Sequence, residues 1–217
     1  MELSPITLRV LGSLMEKART TPEVYPLTLN SLVHACNQKT SRDPVTDYDE
    51  EQVLSALDDL RDAGLVMRVD LAGSRTAKFR ENASTVWCLS VEEYALLTTL
   101  FLRGAQTPGQ LRQRSDRLYP FAGLEQVNDW LTRLQRREEE PHCLVRTLER
   151  AAGTKEIRYE HTLLPESAGE VPGEEDSTVQ GESPADTPAS SNALEERLSR
   201  IEKRLEALEG ILNELTE

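Results

Sequence analysis

The chain has 217 residues, 38% hydrophobic and 29% charged, with a formal net charge of −13. That length fits one to two domains, and the low apolar share implies that part of the chain lies outside any core. No apolar run approaches the ~20 residues of a membrane span, MELSPITLRV lacks the regions of a secretory signal, and three cysteines without CxxC spacing argue against a disulfide framework and for a reducing cytoplasm.

The first predicted helix covers 4–17, with Leu8, Leu11 and Leu14 on one face. A second covers 28–36, with Thr28 as its N-cap. Leu29, Leu32, Val33 and Cys36 follow the i, i+3, i+4, i+7 rule of one buried face. A third covers 49–63, with Val53, Leu57 and Leu60 inward and Gly64 where a capping glycine belongs. Two strands follow, Leu65–Asp70 and Ala77–Leu89, around the turn Ala72-Gly73-Ser74.

The same order then recurs. Helices are predicted at 90–102, 107–117 and 123–137, with strands Cys143–Leu148 and Glu156–Leu163 around Ala152-Gly153-Thr154. Glu51-Gln52-Val53 is matched by Glu125-Gln126-Val127, Thr28 by Thr107, and Leu32 by Leu111. Three helices and a hairpin, twice over, is the pattern of two tandem winged-helix domains of the helix-turn-helix type. The expected class is mainly α with small β wings (α+β). The expected domains are 1–89 and 90–165, followed by a linker at 166–193 and a coiled-coil helix at 194–217.

The stretches LGSLMEK, YPLTLNSLVHACNQKTSRDPV, LFLRGAQTPGQLRQRSDRLYPF and GTKEIRYEH resemble the YceH family of bacterial proteins. They span residues 11–161. The resemblance implies two winged-helix domains and no established activity, so it assigns no functional residues.

LVHACNQKTSRDP, residues 32–44, holds a histidine and a cysteine two positions apart. On a helix those side chains lie about 200° apart. Cys36 is therefore expected in the core and His34 outside, and no neighbour completes a metal site. His142-Cys143 also lacks ligand spacing, and His161 is expected to be packed or solvated. No nucleophile elbow, Walker motif, HExxH or GxGxxG is found, so neither an enzyme nor a cofactor is expected.

The outer faces of the two third helices differ. The first offers Glu51, Ser55, Asp58, Asp59 and Asp62, which repel phosphate. The second offers Glu125, Asp129, Thr132, Arg133 and Arg136, with Arg137 nearby. The expected nucleic-acid contacts are Lys39, Arg42, Arg75, Lys78, Arg112, Arg114, Arg133, Arg136, Lys155 and Arg158. Arg68, Arg80, Arg103, Arg117, Arg146 and Arg150 add to the same cation supply. The bland alternative is a solvated surface on which arginines partner the equally numerous acids. DNA is one expected partner. A protein is the other, in a scaffold similar in architecture to bacterial segregation and condensation protein B, with the acidic third helix of the first repeat as its docking face.

Residues 166–217 carry 4 Lys/Arg against 14 Asp/Glu. The run 166–193 is rich in Pro, Gly, Ser and acid and is expected to be disordered. It serves as a tether or as an acidic competitor for the arginines. Leu194, Leu198, Ile201, Leu205, Leu208, Leu212 and Leu215 then form a heptad seam. Arg197 and Arg204 at g face Glu202 and Glu209 at e of a parallel partner, which favours homo-oligomers. Gly210 weakens the helix. Dimer and trimer both fit, as does docking of the helix on its own domains.

Overall fold

The structure, a computed structural model, describes residues 2–70, 76–139, 141–148 and 156–164. All of these belong to one compact unit, Met1–Val171. The linker, the heptad seam, Arg75, Arg150 and Lys155 lie outside the described residues.

The fold is α+β, with helices and two small antiparallel sheets. The first half runs α1 (Pro5–Thr20), a 3-10 turn (Pro22–Val24), β1 (Leu27–Thr28), α2 (Leu29–Cys36), α3 (Glu50–Asp62), β2 (Val66–Val69) and β3 (Lys78–Glu81). Its sheet has the order β1-β3-β2, all antiparallel, with Leu27 opposite Phe79 and Val66 opposite Glu81. A short helix, α4 (Ala83–Val86), leads into the second half: α5 (Val91–Arg103), α6 (Pro108–Arg114), α7 (Leu124–Gln135), β4 (Val145–Thr147) and β5 (Tyr159–His161). β4 pairs with β5, and a bridge from Gln106 to Tyr159 occupies the place β1 holds in the first half.

Side-chain caps fix where the helices begin. The Ser4 and Thr28 hydroxyls accept from the backbone N–H groups of Thr7 and Ser31 at the starts of α1 and α2. Asp49/Gln52, Ser90/Glu93 and Thr107/Gln110 form reciprocal capping boxes on α3, α5 and α6. α3 ends where Gly64 takes φ +72 and the Leu65 N–H reaches back to Leu60 O at 2.8 Å, a stop that suits glycine.

One strand is shorter than expected, and another is not among those expected. The strand predicted over Ala77–Leu89 ends at Glu81, because the Glu81 carboxylate accepts from Ser84 N and Ser84 Oγ at 3.0 and 2.8 Å. Those bonds fold Ala83–Val86 into a helical turn and bury Trp87. β1, two residues long, has no periodic signature and appears only through its pairing with β3.

α1 and α5 pack against each other and against the rest of their own halves, so both are buried on most sides. One hydrophobic cluster runs through both halves, from Leu8, Leu11 and Leu14 to Leu97, Leu100 and Leu131. Gly12 is the close point: a Cβ there would lie 3.0 Å from Phe101 Cβ and 3.1 Å from Leu102. Backbone and side-chain bonds add to the seam. Asp43 N–H donates to Leu102 O at 2.9 Å, Tyr94 Oη–H to Met15 O at 2.7 Å, and Leu3 N–H to Leu163 O at 2.7 Å.

Candidate functional site

The polar run after α2 is held by two buried arginines. Arg42 is fully enclosed: Nη1 and Nη2 meet the Glu16 carboxylate at 3.2 and 2.7 Å, and Nε and Nη2 donate to Ala35 O at 3.0 and 2.8 Å. Arg9 donates to Pro44 O at 2.7 Å and to Cys36 O at 3.3 Å. Its pKa is lowered, first by burial and then by the charge of Arg42. Asn37 ties the loop to α3's entry, donating to Tyr48 O and accepting from Tyr48 N at 2.7 and 2.9 Å. Cys36 is buried, with its thiol pushed up to about 11 by burial, while His34 is exposed. Helical geometry therefore separated them correctly. The stretch is a scaffold built around guanidinium forks.

Arg42 is the correction among the expected contacts. A surface cation is expected; the arginine is instead engaged by Glu16, by Ala35 O at the end of α2 and by Ser41 O. Lys39, three residues away, is exposed, and Lys78 is half-buried on β3. On the second half, Arg112 is exposed near Phe121 O and Ala122 O, both at 3.5 Å. Arg133 and Arg136 are exposed at the end of α7, with Arg133 stacked 4.4 Å over the Trp130 ring. Arg158 is exposed and donates to Ala105 O at 2.7 Å. Arg114 is half-buried and donates to Gln106 Oε1. Arg137 is enclosed by Trp87 O and the Glu93 carboxylate, 3.8 Å away, and so belongs to the scaffold.

Other cations are paired. Arg146 meets Glu160 at 2.6 Å and Arg68 meets Asp70 at 3.1 Å. On α3, Glu51, Ser55, Asp58, Asp59 and Asp62 are all exposed, which leaves that face acidic. His161 is buried edge-on to Phe101 at 5.3 Å, and burial, then Arg146, lowers its pKa to about 4. It stays a neutral packing residue near pH 7. Among the described residues no group of three or more His, Cys, Asp or Glu side chains is placed to hold a metal ion, and no helix is long and apolar enough to cross a membrane.

One feature escaped the sequence. A polar cleft of about 110 Å³ lies between α1, the loop after α2, the end of α5 and α6. Lys17, Arg103, Arg114 and Arg117 line it, and Glu16 is the one carboxylate among its lining residues. Arg103, Arg114 and Arg117 are among the cations the sequence analysis names; Lys17 comes from α1, and no local spacing links it to them.

Residues 3–154 match the family model described as "Protein of unknown function, DUF480". The chain is 48% identical over 163 residues to a UPF0502 protein of Koribacter versatilis, covering 75% of this chain and 74% of that one. It is 40% identical over 208 residues to a UPF0502 protein of Polaromonas naphthalenivorans, covering 94% of each. It is also 40% identical over 216 residues to the UPF0502 protein YceH of Escherichia fergusonii, covering 95% of this chain and 96% of that one. None of these names states an activity.

Proposed function

The chain belongs to the DUF480 family of proteins of unknown function, and from that premise we propose a non-enzymatic, cytoplasmic tandem winged-helix protein that associates with nucleic acid. Its domains are residues 1–89 and 90–165. The helix-strand-helix-helix-strand-strand order of the first half, with β1 beside β3, supports the winged-helix reading. The observation that carries the nucleic-acid reading is the contrast between the halves. α3 presents carboxylates, while Arg112, Arg133 and Arg136 stand exposed on α6 and α7 with no carboxylate in ion-pair contact among the described residues. Stacking on Trp130 holds Arg133 in place before any phosphate arrives, which lowers the ordering cost of contact.

A gel-shift series over salt concentration tests this. Binding should weaken as salt rises. Arg133→Glu with Arg136→Glu should weaken it by about 100-fold at low salt, since two phosphate contacts become repulsive. No binding at low salt, or binding indifferent to the pair, rejects the reading.

The acidic face of α3 favours a second reading, a scaffold that docks a basic protein segment there. In either case residues 194–217 are proposed to self-associate. Sedimentation of a chain ending at Pro165 should then show a smaller assembly than the full chain, and an unchanged state of association would reject it.

A further inference from the structure

The cleft between the halves carries charge opposite to that of the chain. The protein as a whole has a formal net charge of −13. Yet four cations line this cleft against Glu16 alone. Glu16 is already engaged, because Arg42 holds it through both carboxylate oxygens. Lys17 retains a looser contact with Glu16 at 3.6 Å and donates to Gln38 Oε1 at 3.4 Å. Arg103, Arg114 and Arg117 make no carboxylate ion pair among the described residues.

Such a cluster is costly. Arg103 is half-buried, and its pKa is lowered first by burial and next by the charge of Arg114, with Glu16 and Asp43 opposing. Cations gathered in a recess with little free counter-charge lose hydration and repel one another. An anion relieves both effects. Guanidinium forks match the oxygens of a phosphoryl group in pairs. The volume of about 110 Å³ exceeds what a single water needs and admits a phosphoryl group.

We propose that this cleft binds a phosphate-bearing small molecule, with Arg103, Arg114 and Arg117 taking the phosphoryl oxygens and Lys17 completing the charge. Lys17 belongs to α1, Arg103 to α5 and Arg114 to α6. The bound group therefore spans the two halves and ties them together. This site is separate from the exposed arginines of α7, and the proposal stands whether or not the protein meets nucleic acid.

Calorimetric titration of the full chain with inorganic phosphate and with pyrophosphate, at constant ionic strength, tests it. Saturable binding is expected, with pyrophosphate the tighter ligand. Arg117→Gln, at an exposed position, should weaken binding about ten-fold, the loss of one charge-assisted contact. Arg61→Gln, on α3 and outside the lining of the cleft, should leave it unchanged. Arg103→Gln should abolish saturation; if that variant does not fold, the Arg117→Gln result decides alone. Absence of saturable binding to either anion, or full affinity in Arg117→Gln, overturns the proposal. Displacement of pyrophosphate by a short single-stranded oligonucleotide overturns the small-molecule assignment.

Discussion

Arg42→Ala should destabilise the protein by about 3 kcal/mol or more, the cost of breaking a buried ion pair from one side. The Arg42 side chain has no exposure, and Glu16 retains 15% of its own. Removal leaves that carboxylate in a recess without its fork and leaves Ala35 O at the end of α2 without its donor. Lys17 can supply part of the missing charge from 3.6 Å, which places the loss at the lower end of the range for such pairs. Arg42→Lys should recover little, because an ammonium cannot span Glu16 and the Ala35 carbonyl together. Urea midpoints at neutral pH measure both. A loss under about 1 kcal/mol for Arg42→Ala would mean that the fork is ornamental.

Gly12→Leu should cost about 1–3 kcal/mol through overpacking, and should do so for both halves at once. Its Cβ alone would meet Phe101 Cβ at 3.0 Å, and that atom is fixed to the α5 backbone. The better helix propensity of leucine returns up to about 1 kcal/mol, less than the strain of separating two buried helices. Fluorescence of Trp87 and Trp130 and far-UV circular dichroism should report one shared midpoint in wild type and variant alike, because one hydrophobic cluster serves both halves. Two separated transitions would show that the halves fold independently. An unchanged midpoint would show that α1 and α5 have slack at Gly12.

Most of the helical skeleton was legible. Leucines at helical spacing marked α1 and α3, and threonines at 28 and 107 marked the starts of α2 and α6 as caps. The acidic face of α3 and the opposite placement of His34 and Cys36 also follow from the 3.6-residue period. The strands were less legible. β1 is two residues held by partners fifty residues away, and the end of β3 depends on a glutamate folding back on Ser84. Arg42 was misplaced for the same kind of reason. Composition treats an arginine in a polar run as solvated, whereas its enclosure depends on Glu16, one helix earlier. The cleft gathers cations from α1, α5 and α6, which only the packed halves bring together.

The bond from Leu3 N–H to Leu163 O has a topological consequence. The segments at Leu3 and Leu163 meet side by side, like the two halves of a clasp. Whatever joins the chain before Leu3 or continues it past Leu164 therefore departs from a single address on the surface. A tag, an oligomerising segment or a tethered partner on either end would act from that shared anchor, and lengthening one attachment would crowd the other.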